Sequence, residues 1–389
     1  MSATATGATT TTTPDTSDAP YFKSYASIHI HEDMIRDEAR TATYRRAIFA
    51  LGDRIRGKAV CDVGAGTGIL SVFCAQAGAR KVYAIEASDM AKQARLIVME
   101  NNVQDTVQVI HGRVEDVDLP EKVDVIVSEW MGYFLFYESM FESVLLARDR
   151  WLNKDTGLML PSAATLYMCP VHEPYLAEEK VAFWSTFPKE RYGISMASLG
   201  TFAKQCLHEE VAIDPIEPEQ CLAWPVQAVS IDCNTLTLAE LRSISGTFAF
   251  RAIVSNEMHA IAAWFDVEFP CFSDETDGQA VAQPESSDRE TAQTTARKRV
   301  RLEQTEQGTK EPIVLSTSPD APPTHWRQTL FRLLDPVPIQ QDDIIAGSVR
   351  ILPDEQYKRF LGVQLSLKHK GNSILENKHF RLTDGSLAQ

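Results

Sequence analysis

Between residue 58 and about residue 150, short apolar runs alternate with segments that have helical spacing. The apolar runs are Ala59–Val63, Lys81–Ile85, Val107–Ile110 and Val123–Val127. A regular alternation of strand and helix is typical of a parallel sheet with helices on both faces. We therefore predict an α/β, doubly wound, Rossmann-like domain in this part of the chain.

Polar groups follow these predicted strands at the points where the strands end. The Gly-rich turn 64–68 follows the first strand, and Glu86, Glu115 and Glu129 follow the next three in turn. Right-handed crossovers place all of them at one carboxyl edge, where such sheets bind ligands. Glycines let the backbone approach a ligand, and an acid about 20 residues later can accept hydrogen bonds from a ribose. For Glu115, a binding role and a plain surface acid are equally open.

From residue 161 onward the pattern changes to short β-rich runs, which predicts an antiparallel sandwich or barrel. The predicted strands include 163–168, 246–250, 260–269, 328–334, 344–352 and 362–367. The aromatic segment 172–208 is predicted to be helical, and core packing and an interaction arm explain it equally well. Residues 273–310 are polar and predict a disordered insertion in a loop. Its basic cluster 297–301 is either solvated charge or a nuclear address.

The start of the chain has two parts. Residues 1–20 are rich in Thr, Ser, Ala, Asp and Pro, which predicts a disordered tail. Residues 31–44 are predicted to form one helix with a polar stripe along one face. The stripe consists of His31, Met34, Asp37, Arg40 and Tyr44. A solvated amphipathic helix is the plain interpretation, although this unusual mix of side chains also fits a binding surface.

Composition narrows the function classes. The 389 residues leave room for two domains, and 44% hydrophobic and 23% charged residues are typical of a soluble globular protein. No apolar run approaches the roughly twenty residues that span a bilayer, and no secretory signal is recognisable. The seven cysteines lack a CxxC pair, which predicts reduced thiols in the cytosol or nucleus. A net charge of -15 disfavours a nucleic-acid binder and suits basic partners.

Two carboxylates occupy an aromatic loop after the fourth predicted strand. Glu129 lies within Ser128–Tyr133, and Glu138 follows. Charge in apolar surroundings is costly unless it is paired, so the loop needs a cation. A guanidinium suits it best because its planar fork can be held by two carboxylates at once. Further along, the rigid turn Pro323–Trp326 carries His325, and a lone histidine in a β-domain is usually structural.

Together these motifs resemble the protein arginine N-methyltransferase family. The resemblance extends from Tyr21 almost to the C-terminus and omits the insertion. It is carried by Tyr21–Tyr25, His31 with Met34, Arg40–Thr41, Asp62–Gly68, Ser128–Tyr133 with Glu138, and Thr324–Trp326. It implies that 21–160 contains the N-terminal helices and an S-adenosylmethionine-binding domain. It also implies that 161–389 is a β-barrel-like substrate domain in which the segment 172–208 is a helical dimerisation arm.

The resemblance implies a cofactor site without a metal. The residues implied in S-adenosylmethionine binding are His31, Arg40, Asp62, Gly64, Gly66, Glu86 and Glu115. Among them, Arg40 would meet the amino-acid carboxylate, Glu86 the ribose and Glu115 the adenine amino group. His31 would help to close a lid formed by the N-terminal helices.

The implied chemistry is methyl transfer to the arginine of a basic protein. Glu129 and Glu138 would hold the guanidinium, and His325 with Asp37 would either carry a proton away or tie the two domains together. Tyr25, Met34, Met131 and Trp326 would line the arginine slot, and simple packing stays open for each of them. As in type I members, the expected products are mono- and asymmetric dimethylarginine, on histone tails or Arg/Gly-rich proteins. A homodimer in the nucleus or cytoplasm is expected, without direct contacts to nucleic acid or membrane.

Two other functions stay open from the sequence. An S-adenosylmethionine methyltransferase that acts on a small molecule or RNA would share the Gly-rich turn but would not require two carboxylates in one loop. A catalytically silent binding scaffold would keep the fold without turnover. An NAD-dependent dehydrogenase is disfavoured because Gly66–Gly68 departs from the GxGxxG spacing and no acid or base is placed for hydride transfer.

Overall fold

The structure is a computed structural model that describes residues 19–270, 312–354 and 357–380. The predicted tail lies outside the described residues except for positions 19 and 20. The predicted insertion 273–310 and its basic cluster lie wholly outside them.

The helices are α1 Ala19–Ser24, α2 Ile28–Arg36, α3 Glu38–Ala50, α4 Ile69–Gln76, α5 Met90–Glu100, α6 Phe141–Trp151, α7 Pro174–Leu176, α8 Phe183–Tyr192, α9 Leu199–Glu209 and α10 Leu238–Leu241. The strands are β1 Ala59–Val63, β2 Lys81–Glu86, β3 Val107–His111, β4 Val125–Val127, β5 Leu158–Leu160, β6 Ala163–Val171, β7 Val211–Asp214, β8 Val226–Asp232, β9 Ile244–Arg251, β10 Asn256–Phe269, β11 Ile313–Ser316, β12 Gln328–Ile339, β13 Ile344–Pro353, β14 Leu361–His369 and β15 Asn372–Phe380.

The first five strands form a parallel sheet in the order β3-β2-β1-β4-β5. β1 and β4 are buried along their whole length, as expected for central strands covered on both faces. Their carboxyl ends bring the turn after β1, Glu86 and the loop after β4 to one edge. The predicted doubly wound domain is confirmed.

The predicted helix over 31–44 is wrong in one respect, because the chain breaks at Asp37 into α2 and α3. The Asp37 side chain accepts a hydrogen bond from the Arg40 backbone N–H at 2.9 Å and so caps α3. Tyr44 of α3 is buried and donates to the Ser128 carbonyl at 2.9 Å, which fixes α3 to the parallel sheet.

The remaining strands form two antiparallel sheets, which confirms the predicted β-rich half. One has the order β7-β12-β10-β6-β8 with β11 beside β10, and the other has the order β15-β14-β13-β9. The sheets meet where β8 contacts β9 and β7 contacts β15, as in a barrel-like arrangement. Phe134 of the loop after β4 packs on Phe331 of β12, with ring centroids 5.0 Å apart, so both halves share one core.

Segment 172–208 is helical, as predicted, and projects apolar side chains into solvent. Tyr175 is 79% exposed and Phe202 is 64% exposed. A single domain would gain free energy by covering such side chains. Elsewhere, the six cysteines in the described ranges are free thiols. No helix among the described residues is long and apolar enough to cross a membrane.

Candidate active site

Two cavities meet above the carboxyl edge of the parallel sheet. The first lies against the turn after β1 and the ends of β2 and β3. The second opens toward the β-domain turn that carries His325. Both cavities are lined by Tyr25, Met34, Glu129, Met131 and Glu138. We call the first the cofactor-side cavity and the second the acceptor-side cavity, and these five residues their shared wall.

Glu86 and the Gly-rich turn form one end of the cofactor-side cavity. The Glu86 carboxylate accepts backbone N–H groups from Gly66 at 2.8 Å and Ser88 at 2.7 Å, and it is 7% exposed. Gly66 has a φ of 53°, and a Cβ there would lie 3.2 Å from the His31 ring. A larger residue would therefore strain the turn and press on His31.

His31 closes this cavity from the side of α2. Its Nε2 is 2.8 Å from the carbonyl oxygen of Tyr25, so the turn between α1 and α2 is held against the buried ring. On the opposite side, Glu115 accepts a hydrogen bond from Ser143 Oγ at 2.7 Å and remains partly exposed. These positions fit the predicted contacts of a lid residue and of an acid near an adenine.

Asp62 differs from the other predicted cofactor residues because it does not line the cofactor-side cavity. It is fully buried below the Gly-rich turn and accepts a hydrogen bond from Ser71 Oγ at 2.6 Å. Burial raises its pKa to about 7, against the hydrogen bond from Ser71, which lowers it. We interpret Asp62 as a support that joins β1 to α4 beneath the turn. Sequence reasoning could not separate this role, because the motif includes both supporting and exposed positions.

Arg40, which lines the cofactor-side cavity, forms an ion pair with Glu129 of the shared wall. Arg40 Nε and Nη2 donate to Glu129 Oε2 at 3.0 and 2.9 Å. The two side chains are only 7% and 8% exposed. The sequence predicted separate roles, Arg40 for the cofactor and Glu129 for the substrate. The structure connects them, because a buried guanidinium requires an anion and Glu129 lies within reach.

Glu138 is the second acid of the shared wall. Tyr25 Oη donates to Glu138 Oε2 at 2.6 Å. Burial raises the pKa of Glu138 to about 6, opposed by hydrogen bonds from Tyr25 and Tyr21 and reinforced by the charge of Glu129. A half-buried carboxylate with tyrosine donors and a raised pKa is a typical arrangement of a functional acid. From the sequence, Tyr21 was part of the motif Tyr21–Tyr25 and had no predicted role of its own.

The loop that carries both acids is held in an uncommon backbone conformation. Positive φ values, which residues other than glycine rarely adopt, occur at Phe134, Leu135, Glu138 and Ser139. Gly132 allows the loop to fold back, since a Cβ there would lie 2.1 Å from the carbonyl oxygen of Tyr137. Such conformations persist where the surroundings impose them, and they are concentrated at functional sites.

His325 and Trp326 close the acceptor-side cavity from the β-domain. His325 Nδ1 is 2.7 Å from Asp37 Oδ2, and its backbone N–H donates to the same oxygen at 2.9 Å. The Trp326 indole N–H donates to the Met131 carbonyl at 2.9 Å. The predicted pairing of His325 with Asp37 is present, and it links the N-terminal helices to the β-domain. From the same turn, buried Trp326 reaches the loop that carries Glu129 and Glu138, which we call the acid loop.

Asp37 holds three donors at once, so Asp37→Ala is expected to lower the free energy of unfolding by about 2 kcal/mol. Burial would raise the pKa of Asp37, but the hydrogen bonds from His325 and Arg40 outweigh it and lower the pKa. Because the pKa of Asp37 is lowered in the folded protein, its charged form stabilises the fold at pH values above the pKa of Asp in the unfolded chain, about 3.9. This contribution is lost as pH falls toward the native pKa.

Urea unfolding of Asp37→Ala at pH 7, with Asp53→Ala as control, checks this expectation. Asp53 is 97% exposed and should leave the unfolding midpoint unchanged. Equal midpoints for the two variants would show that the tie through Asp37 contributes nothing to stability.

The two methionines of the shared wall lie beside the acids. Met34 Sδ is 3.8 Å from Arg40 Nη2, and Met131 Sδ is 3.6 Å from Tyr44 Oη. Tyr25, Met34 and Met131 thus line a slot with apolar sides and an acidic end. A flat cation with apolar faces fits this slot. Within the described ranges, no group of His, Cys, Asp or Glu could hold a metal ion.

The cofactor-side cavity fits S-adenosylmethionine chemically. Acceptor oxygens of Glu86 and Glu115 suit ribose hydroxyls and an adenine amino group. The backbone at Gly64 and Gly66 leaves room for close approach, since both have positive φ and no Cβ. The acids of the shared wall favour a cation where the two cavities join.

Two known protein families match this chain, one over the β-rich domain and one over the domain with the parallel sheet. The family described as the arginine methyltransferase oligomerization subdomain matches residues 162–294 and 300–372. A second family, ribosomal protein L11 methyltransferase, matches residues 41–136, which contain β1 to β4.

Individual relatives match over nearly the whole chain. A probable protein arginine N-methyltransferase 6 from Arabidopsis thaliana is 46% identical over 368 residues, covering 94% of this chain and 82% of the relative. The Trypanosoma brucei PRMT1 enzyme-prozyme heterotetrameric complex with AdoHcy superposes with a TM-score of 0.75 at 31% identity, covering 92% of this chain and 100% of that one. The open form of Arabidopsis thaliana protein arginine methyltransferase 10 gives 0.73 at 32% identity, covering 92% and 99%.

Proposed function

This chain belongs to the protein arginine N-methyltransferase family and uses S-adenosylmethionine to methylate arginine in proteins, and we propose that it is a type I enzyme. Type I members form mono- and asymmetric dimethylarginine. The observation that carries methyl transfer to arginine is the pair of acids, Glu129 and Glu138, in one slot between the two cavities. The type I assignment is supported by the resemblance of the sequence motifs to type I members. The proposed substrates are basic proteins, such as histone tails or Arg/Gly-rich segments.

The acids address the main chemical difficulty of the reaction. A free guanidinium has a pKa above 12 and shares its lone pairs over the whole group, so it is a poor nucleophile. Glu138 and Glu129 would each hold an N–H edge and concentrate the positive charge on one side of the group. One terminal nitrogen is then left unbound and aimed toward the cofactor-side cavity. Positioning and electrostatics supply most of the acceleration in such a site.

S-adenosylmethionine supplies an electrophilic methyl group when it is bound. The chain would hold it through Glu86, Glu115, His31 and the backbone at Gly64 and Gly66. Arg40 remains the predicted partner of its carboxylate while it keeps Glu129 in place. Glu138, with its pKa raised to about 6 chiefly by burial, is placed to receive the proton that the methylated group must lose.

In this proposal His325 has a structural role. Its hydrogen bonds go to Asp37, which also caps α3 and lies beside the acceptor-side cavity. The pair therefore ties the two walls of the slot together, and we assign it a positioning role rather than a proton relay.

The proposed assembly is a homodimer. The arm helices α8 and α9 expose Phe183, Phe187, Tyr192 and Phe202, and the Phe183 and Phe187 rings stack at 5.2 Å. The matched oligomerization subdomain includes this arm. A second copy of the chain is the partner that an apolar arm of this kind favours.

Light scattering after gel filtration tests the proposed homodimer. The mass of two chains is the expected result, and the mass of one chain would contradict the proposal. A nuclear or cytoplasmic location remains the expectation.

Product analysis tests the type I assignment. The purified protein is incubated with S-adenosylmethionine and an Arg/Gly-rich peptide or a histone-tail peptide, and the hydrolysed product is separated by chromatography. Monomethylarginine followed by asymmetric dimethylarginine is the expected result. Symmetric dimethylarginine, or monomethylarginine alone at long times, would contradict type I while leaving the family unchanged.

A further inference from the structure

The segment just before β14 is joined to the acid loop by three hydrogen bonds. The Glu138 backbone N–H donates to the Arg359 carbonyl at 3.0 Å, and Arg359 Nη1 donates to the Glu138 carbonyl at 2.9 Å. Ser139 Oγ donates to the Lys358 carbonyl at 2.7 Å. The backbone of Glu138 is therefore bound on both its N–H and its C=O by one residue of the β-domain.

This contact is made at two loop residues whose backbone conformation is unfavourable. Glu138 has a φ of 76° and Ser139 a φ of 54°. A left-handed conformation is unfavourable for a residue that has a side chain. The hydrogen bonds to Arg359 and Lys358 offset that cost and fix the direction in which the Glu138 side chain leaves the backbone.

The same guanidinium also contacts the N-terminal helix. Arg359 lies over the Tyr21 ring at 4.2 Å and near the Phe22 ring at 5.6 Å, both in α1. All three residues line the cofactor-side cavity. Tyr25, just after α1, donates to the Glu138 carboxylate. Arg359 thus joins the wall formed by α1 to the loop that carries the acid.

We propose that Arg359 is a positioning residue that couples closure of α1 over the cofactor-side cavity to the placement of the Glu138 carboxylate. The inference rests on the proposed function, in which Glu138 holds the substrate arginine. With α1 seated on the guanidinium, Tyr25 and Arg359 hold Glu138 from two sides. When α1 moves away from the cavity, the interactions of Tyr25 and Arg359 with Glu138 weaken together. The Glu138 carboxylate is therefore fully placed only when α1 covers the cavity.

The charge of Arg359 also acts on Glu138. The charged and titratable groups that face this carboxyl are Tyr21, Tyr25, Glu129, Tyr133 and Arg359. The pKa of Glu138 is raised to about 6 in all: burial is the largest effect and raises it, Glu129 also raises it, and the two hydrogen-bonding tyrosines and Arg359 lower it. Removing Arg359 should raise this pKa more. Only the carboxylate can bind a guanidinium, so the acidic limb of kcat/KM should move to higher pH.

The test compares Arg359→Gln, Arg359→Lys and the control Arg350→Gln in the full-length protein. Arg350 is an exposed arginine of β13. For Arg359→Gln we expect kcat with a basic peptide to fall about tenfold to a hundredfold, because the acid is misplaced. The dissociation constant of S-adenosylmethionine, measured by calorimetry, should rise about threefold to tenfold as α1 loses a cation–π partner. Arg350→Gln should match the wild type in both measurements.

The pH profile distinguishes positioning of Glu138 from general support of the fold. The acidic limb of kcat/KM, near pH 6 in the wild type, should shift upward in Arg359→Gln. In Arg359→Lys it should stay near the wild-type position, because the charge is kept, while kcat still falls because the planar fork is lost. If Arg359→Gln does not fold, the lowered kcat and unshifted limb of Arg359→Lys carry the test.

An unchanged kcat and an unshifted acidic limb in a folded Arg359→Gln would overturn the inference. So would wild-type kcat in Arg359→Lys if Arg359→Gln does not fold. Both results leave the proposed function intact, because the wild type still methylates arginine. Failure of the proposed function is recognised separately, by a wild-type protein that binds S-adenosylmethionine and transfers no methyl group to any arginine peptide.

Discussion

Glu138→Gln is expected to lower methyl transfer by about a hundredfold to a thousandfold while leaving S-adenosylmethionine affinity within a few-fold of the wild type. An amide retains an acceptor for Tyr25 Oη, so the wall of the cavity survives. It carries no charge, however, and it cannot hold the positive group of the substrate. Transfer of radiolabelled methyl groups to an Arg/Gly-rich peptide measures the first effect, and calorimetry measures the second.

Glu142→Gln is the matched control for this substitution. Glu142 lies on α6, near Glu138 in sequence, and pairs at the surface with Arg242. Its loss should leave turnover unchanged, because surface ion pairs contribute little. Near-normal turnover of Glu138→Gln would remove this acid from the chemistry, whatever the control shows.

Arg40→Ala is expected to destabilise the fold by about 3 kcal/mol and to lower turnover strongly. The substitution leaves the Glu129 carboxylate buried without its two charged hydrogen bonds from Arg40. An uncompensated carboxylate would take up a proton or turn away, and either change removes it from the arginine slot. Urea unfolding and the methyl-transfer assay measure the two effects on the same preparation.

The control for this substitution is Arg36→Ala, which removes the neighbouring Arg–Glu pair. Arg36 and Glu32 are 74% and 50% exposed, so no change in unfolding midpoint is expected. Equal midpoints for Arg40→Ala and Arg36→Ala would mean that the buried pair does not hold Glu129 in place.

The sequence predicts the frame of this site well because the frame depends on local pattern. Apolar runs fix β1 and β4 in the centre of the parallel sheet, and the acids that follow β2 and β4 must then share one edge. The resemblance adds the roles of Glu138 and His325. The structure brings Glu129, Glu138, Tyr25, Met34 and Met131 to one wall, as those predictions require.

Contacts between distant segments were not predictable in the same way. Helical spacing continues through Asp37, and the side chain at the break is bound both by Arg40 nearby and by His325, 288 residues away. The pairing of Arg40 with Glu129 spans 89 residues and follows from burial, which spacing does not reveal. Arg359 stands in an ordinary polar turn, and only the folded chain shows it bound to Glu138 across 221 residues.

The measurement that tests the central claim most directly is the identity of the methyl acceptor. Two basic peptides are compared, one with a single arginine and one with lysine in its place, using radiolabelled S-adenosylmethionine. The two-acid slot predicts label on the arginine peptide, recovered after hydrolysis as methylarginine, and none on the lysine peptide. Equal labelling of both peptides, or labelling of neither by a protein that binds the cofactor, would contradict the account.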